Sequence, residues 1–494
     1  MPFDARCKIA AGGIFVNFES LTAVIQTPAP SRQSRRPALS TKTAIPRSAF
    51  QNFQNVVVIG GRACGTAAVV HLVHSLARGS RITVVDPCET EYPSVFDDVD
   101  PLLLTNTSHR INSLFPDRPE DFLEFLDESK KSRSVPRHVV GKYCRTRFLE
   151  ACATAAVHGI EIVQITDRAW SARGTSHGYD LLLESGSHIH ASDVVVAVGF
   201  GDVQRPLGIS GIPPYPSTRL RRLAGRNALV IGQGQSGIDA ALVLCAAGSR
   251  VTMCSRTGQF PAVRTRTLYH EYQGGQLVDA PADFRRLVDE DCQRRGFPPL
   301  SGQLAPARDP VSMLREETYL AEHDMCPWQD SIVGIIDAIV DAGAPVANDR
   351  EFLWRYVTSI TLPLAQQLLA RIDEGSISTK KIDAVSTDKF DLVVAATGFS
   401  PPPLYHRGRT LYFGGCFSHD MEVTQLSSDL RVVLSVTHGP ERIWAIGPAS
   451  GIRIPFANFL HTASRQASWV AGQIADKYAP DQAPRQRRQE LRRG

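Results

Sequence analysis

The stretch "NALVIGQGQSGIDAALVLCAAGSRVTMCSR", Asn227 to Arg256, decides the fold. An apolar run leads into Gly232, Gly234 and Gly237, then into an apolar helical pattern and a second apolar strand. A dinucleotide needs that order. One glycine makes the tight turn, one leaves bare backbone against the pyrophosphate, and one lets helix and strand pack closely. Gln235 and Ser236 open the helix, whose first N–H groups lack intrahelical acceptors and attract phosphate. The second strand ends in Ser255 and Arg256 instead of an acid. A carboxylate there would repel a 2′-phosphate, whereas hydroxyl and guanidinium bind it, so NADPH is expected over NADH.

A second unit lies upstream, with one residue changed. "NVVVIGGRACGTAAVVHLV" (Asn55 to Val73) has Gly60 and Gly65 at the outer places but Arg62 in the middle one. The following strand, "RITVVDP", ends at Asp86, the acid that a ribose hydroxyl calls for. Arginine is the one large residue whose charge could compensate at position 62, by pairing with the pyrophosphate. The bland alternative is a turn whose glycines serve packing alone. Two later strands run apolar into a glycine and then prolines: "ASDVVVAVGFGDVQRP" with Gly199, and "KFDLVVAATGFSPPP" with Thr397 and Gly398.

Composition bounds the rest. At 494 residues the chain is expected to form two or three domains. It is 43% hydrophobic and 21% charged, with no apolar run long enough to span a bilayer. A net charge of +4, concentrated in "SRQSRRP" and "PRQRRQELRRG", does not argue for nucleic acid. The ten cysteines are scattered without a C-x-x-C, which speaks against a zinc site, a disulfide framework or a redox dithiol. No metal is expected, and the default location is cytoplasmic. Oligomerisation to a homo-oligomer stays open.

Beyond the nucleotide motifs, "DPLLLTNTSHRINSLFPDRPEDFLEFL" (Asp100 to Leu126) and "VPRHVVGKYCRTRFLEAC" (Val135 to Cys152) resemble blocks of FAD/NAD(P)-binding monooxygenases of the N-hydroxylating kind. That family includes ornithine and lysine N-hydroxylases and nitrosuccinate-forming aspartate monooxygenases. The resemblance covers about residues 54 to 475. It implies FAD at the first unit and NADPH at the second. It also implies that "RIWAIGPASGIRIPFANFLHTASRQASWVAGQIA" covers the isoalloxazine. Gly447, Pro448 and Ala449 would approach the ring, and a helix from about Phe456 would aim its N-terminus at the N1–C2 carbonyl end. Asn106 and Arg137 would lie near the flavin, each with an ordinary alternative as turn former or surface cation. Tyr143 would stand beside them or serve as a core aromatic.

The expected architecture is α/β with two Rossmann-like dinucleotide domains, the NADPH domain inserted into a discontinuous FAD domain. Residues 1–53 read as a disordered leader, 54–220 as the first FAD part and 221–403 as the NADPH domain. Within the latter, 270–385 reads as a helical insertion, either packing or substrate-side. Residues 404–477 read as the second FAD part and 478–494 as a basic disordered tail.

Three reactions compete. A disulfide reductase needs a cysteine pair that the sequence does not offer. A dehydrogenase would pass electrons to a non-oxygen acceptor. A monooxygenase needs a shielded pocket where reduced flavin meets O₂ and a nucleophilic substrate atom. The resemblance favours the last, acting on the amine of a small amino acid, possibly to the nitro level. Candidate carboxylate clamps are Arg264 and Arg266; Arg453, Asn106 and Asn458 are candidates nearer the chemistry. A nucleotide-binding protein without catalysis is the alternative from another class.

Overall fold

The computed structural model describes residues 53–87, 95–107, 109–131, 134–201, 210–265, 272, 283–300, 309–342, 352–399, 403–413, 419–435, 439–453 and 459–476. The expected leader and tail fall outside these, as do Arg266, Phe456 and Asn458.

Two parallel sheets carry the two nucleotide motifs. The first contains β1 (Asn55–Ile59), β2 (Arg81–Asp86), β3 (Glu161–Thr166), β7 (Asp193–Val196) and β19 (Ile443–Ala445), in the order β19-β7-β1-β2-β3. Every neighbouring pair in it is parallel. Val56, Val57 and Val58 are fully buried, as expected of a run covered on both faces. The chain leaves β1 through α1 (Ala63–Ser75) to β2 on one side, and only later adds β7 on the other. A crevice therefore opens at the carboxyl ends of β1 and β7, where doubly wound sheets bind their ligands.

The second sheet repeats the plan with β8 (Asn227–Ile231), β9 (Arg250–Ser255), β12 (Ile377–Lys381) and β13 (Leu392–Ala395), ordered β12-β9-β8-β13 and all parallel. Helix α5 (Gln235–Ala246) joins β8 to β9. The sequence reading is corrected here: the expected insertion to residue 385 is too long. "LPLAQQLLARIDEG" forms α9 (Leu362–Asp373), which packs on α5 and leads into β12, so it is the crossover of the second nucleotide unit. Strand β12, "ISTKK", is largely polar, which is why it does not read as a strand.

Between these elements lie α6 (Phe284–Arg294), α7 (Pro310–Glu322) and α8 (Trp328–Ala342), with the short parallel pair β10 (Val263–Arg264) and β11 (Ile360–Thr361). Caps set two of these helix starts. The Asp283 carboxylate accepts from Arg286 N, and Asp309 accepts from Val311 N and Ser312 N ahead of Pro310.

An antiparallel sheet combines β4 (Ala169–Gly174), β5 (Tyr179–Leu183) and β6 (His188–Ala191) with β14 (Tyr405–Arg407), β15 (Thr410–Tyr412) and β16 (Glu422–Val423). The chain thus returns after the second nucleotide unit to complete structures begun before it. A ribbon of β17 (Gln425–Leu426) and β18 (Val432–Val433) precedes β19. Helices α2 (Asp121–Phe125), α3 (Arg137–His158) and α4 (Ser217–Arg222) complete the first half, and α10 (Leu460–Asp476) closes the described chain against α1. No described helix is long and apolar enough to cross a membrane.

Candidate functional site

In the second unit the glycines meet the geometric demands of the motif. Gly232 has φ +121°, and a Cβ there would lie 2.0 Å from Ala396 O. A Cβ on Gly237 would lie 2.1 Å from Gly232 O, so helix and turn are in backbone contact. Gly234 is the N-cap of α5, and above it stands the indole of Trp354, 3.3 Å from where a Cβ would be. Arg256 is exposed at the tip of β9, available to a 2′-phosphate. The Ser255 hydroxyl is already engaged, donating to Gln233 Oε1 and accepting from Gly258 N at 2.9 Å. These bonds shape the turn that follows β9 and carries Arg256. Thr397 and Gly398 follow β13, Gly398 with φ +98°.

The first unit keeps the same backbone requirement. Gly60 has φ +97°, and a Cβ on Gly65 would fall 1.8 Å from Gly60 O. The side chains differ from expectation. Arg62, the N-cap residue of α1, pairs with Asp97 and lies 3.7 Å from Asp86 Oδ1. Asp86 Oδ2 accepts from Gly61 N at 2.5 Å. Two carboxylates thus pair with the guanidinium, and Asp86 braces the turn. Asp97 sits 35 residues from Arg62, and nothing in the sequence marks it as the partner.

The turn Gly447–Ile452 lies directly on this motif. A Cβ on Gly447 (φ +59°) would meet Cys64 Sγ at 2.5 Å, and Gly447 N donates to Gln466 Oε1 of α10 at 2.7 Å. Pro448 and Ala449 are buried beside it, while Gly199, after β7, is exposed. Bare glycine backbone at positions 60, 65 and 447 around one helix start suits a flavin dinucleotide. Arg453 Nη1 reaches Leu426 O at 3.4 Å, so a backbone carbonyl holds it near β17.

Arg137 is buried and so is not the surface cation of the bland alternative: its Nη2 lies 2.6 Å from Asp239 Oδ2 of α5, and Nη1 donates to Tyr215 Oη at 2.9 Å. The Tyr215 hydroxyl in turn donates to Asp239 at 2.6 Å. Burial opposes the charge on Arg137, but Asp239 and Tyr215 outweigh it and raise the pKa, so the guanidinium stays protonated. This buried triad ties the start of α3 to the helix of the second unit. Asn106 lies in the adjoining loop, where Leu104 bridges Pro136 and accepts from Gln235 Nε2 at 3.5 Å. Tyr143 is a core aromatic: fully buried, it donates to Asp121 at 2.6 Å and accepts from Leu114 N.

Arg264 behaves unlike the other candidate arginines. It is 3% exposed and lines a small space, with room for about one water, with Ile111, Ile332, Ile336, Phe459, His461 and Thr462. Burial lowers its pKa to about 10. His461 Nε2 donates to Asp337, 2.9 and 3.0 Å from its two oxygens. Neither His461, Thr462 nor Asp337 was legible as a site residue, because the residues converge only when α8 and α10 pack together. Among the described residues no cluster of His, Cys, Asp or Glu could hold a metal.

Residues 57–201 match the FAD-NAD(P)-binding family, and residues 173–270 match the pyridine nucleotide-disulphide oxidoreductase family. No curated protein matches the chain. Among solved structures, a bacillithiol disulfide reductase from Bacillus cereus is similar at 16% identity, covering 86% of this chain and 99% of that one, with a TM-score of 0.45. A flavin-containing monooxygenase from Stenotrophomonas maltophilia is also 16% identical, over 87% and 100%, with a TM-score of 0.44. The OTEMO complex with FAD and NADP is 12% identical over 86% and 84%, with a TM-score of 0.48. Fold and glycine geometry define an α/β protein with two Rossmann-like dinucleotide-binding units, and the stretch that holds the first of them matches the FAD-NAD(P)-binding family. Reductases and monooxygenases stand side by side among the matched structures, so the comparisons do not choose between these reactions.

Proposed function

We propose that the protein is an FAD- and NADPH-dependent monooxygenase that uses O₂ to hydroxylate the amine nitrogen of a small amino acid. The observation that carries this reading is the state of the thiols. A disulfide reductase passes electrons to a reactive thiol, and thiolate is the reactive form. Burial pushes the pKa of Cys64 and Cys326 up to about 12 and that of Cys245 and Cys254 to about 11; Cys144 and Cys152 are raised as well. Among the described residues these six thiols are poor nucleophiles, which speaks against an electron relay through them and favours an acceptor outside the chain, O₂ in this reading. Within this reading FAD supplies the redox chemistry, the Gly60–Gly65 turn and the Gly447 turn hold it, and the second unit holds NADPH. The amine must be neutral to act as a nucleophile, which a desolvated pocket beside a cation favours.

The test follows NADPH loss, O₂ uptake and hydrogen peroxide together. The true amino acid should speed NADPH oxidation and lower the peroxide formed per NADPH. Sustained anaerobic turnover with a quinone or protein acceptor, faster than with O₂, would reject the monooxygenase. Arg256→Ala should raise the NADPH KM roughly 10- to 100-fold and spare NADH, the loss of one charge-assisted phosphate contact. Equal use of both nucleotides by the unmodified protein would remove that assignment.

A further inference from the structure

The middle glycine of a dinucleotide turn leaves bare backbone for the pyrophosphate to approach. In the second unit that backbone is covered. Trp354 Nε1 lies 3.3 Å from the point a Cβ on Gly234 would take, and the indole carbons Cε2 and Cζ2 lie 3.9 Å from it. The ring therefore stands against the N-cap residue of α5, on the side where the missing side chain would have pointed. A pyrophosphate and an indole cannot both occupy that side.

The backbone that carries the tryptophan is pinned. Leu353–Val357 forms one π-helical turn, a rare form often found at functional sites. Arg355, 7% exposed, donates to Phe260 O and pairs with Glu317, while its carbonyl accepts from Ala262 N at 2.9 Å. The Tyr356 ring packs on Trp328 and Phe352, with centroids 5.3 and 4.8 Å away. The Thr358 hydroxyl donates to Trp354 O. Trp354 is less enclosed than Arg355 and Tyr356, being only half-buried. The turn can stay fixed while the indole changes rotamer about its own side-chain bonds.

We propose that Trp354 belongs to the nucleotide site and competes with the pyrophosphate. The indole covers Gly234 while the site is empty and swings off it when nucleotide arrives. This rests on the reading of the second unit as the NADPH site, given under Proposed function. Apparent affinity is then the intrinsic affinity reduced by the fraction of molecules in which Gly234 is uncovered. Removing the ring should tighten binding, whereas removing a group that contacts the ligand weakens it.

Calorimetry on the oxidised, FAD-loaded protein tests this without turnover. The probes are NADP⁺ and 2′-AMP, which carries the 2′-phosphate expected near Arg256 but has no pyrophosphate to lay over Gly234. Trp354→Ala should bind NADP⁺ roughly three- to tenfold more tightly than the unmodified protein. Trp354→Phe, with a smaller ring, should gain less, and it carries the test alone if Trp354→Ala fails to fold. All forms should bind 2′-AMP alike. NADP⁺ affinity that is unchanged or weaker in a folded variant overturns the proposal, as does an equal gain for 2′-AMP; in each case the NADPH reading stands. If no form binds either probe, the NADPH reading falls and the proposal falls with it.

Discussion

The two nucleotide units share a backbone and differ in how their turns handle charge. In the second, Gly234 is bare, Trp354 stands over it, and Arg256 is exposed at the strand tip. In the first, the polar groups of the turn bond to one another: Asp86 to Gly61 N, and Arg62 to Asp97 and Asp86. A substituted second glycine is thus tolerated because carboxylates lead the side chain away from the helix start. The glycines whose replacement is costly are those in backbone contact.

The largest effect is expected where the units are joined. Removing one partner of a buried ion pair typically costs about 3–5 kcal/mol. Arg137→Met should therefore destabilise by that order, leaving Asp239 buried without its cation, and the Arg137→Met/Asp239→Leu double variant should recover much of it. Denaturant unfolding reads both. A single variant as stable as the unmodified protein would mean that the triad does not bind the units together.

Next come the inner glycines. Gly65→Ala and Gly237→Ala each force a Cβ to within about 2 Å of a carbonyl, at 1.8 and 2.1 Å. Each should cost about 1–3 kcal/mol. Their functional effects should differ: Gly65→Ala loses visible flavin absorbance, whereas Gly237→Ala keeps the colour and raises the NADPH KM. Loss of flavin from both would show that the units do not divide the cofactors.

The pH dependence also separates the halves. Glu317 of α7 accepts from Val263 N and pairs with Arg355; burial outweighs the arginine and raises its pKa to about 7. A carboxyl whose folded pKa is raised binds more protons in the native state, so its contribution is full below the usual carboxylate range. It is lost as pH rises through about 7. Glu317→Gln should remove a decline in stability of ~1–3 kcal/mol across that window. An unchanged pH–stability profile would count against it.

How much of this was legible beforehand follows from which interactions are local. The glycine turns, their strands and the second strand tip are set within about thirty residues, so spacing alone reveals them. Partners that only topology brings together were not legible. Nothing in the order of residues says that Asp97 takes Arg62, that Asp239 takes Arg137, or that Arg264 ends without a carboxylate. The polar strand Ile377–Lys381 was hidden for another reason: its side chains are mostly exposed, so it lacks the apolar signature of its neighbours.

The smallest effect sharpens the comparison most. Arg62 is about a quarter exposed at its ion pairs, and such pairs contribute roughly 0–1 kcal/mol. Arg62→Gly should leave FAD occupancy and stability close to those of the unmodified protein. A marked loss of flavin would return Arg62 to the pyrophosphate.

The central claim is that NADPH at the second unit reduces flavin at the first. Anaerobic mixing of the purified, FAD-loaded protein with NADPH tests it directly, followed by the flavin's visible absorbance. Bleaching is expected at one NADPH per flavin, slower with NADH and slowed by Gly237→Ala at the same NADPH concentration, with colour returning when O₂ is admitted. Flavin that stays oxidised under excess NADPH, or bleaches equally well in Gly237→Ala, would contradict it.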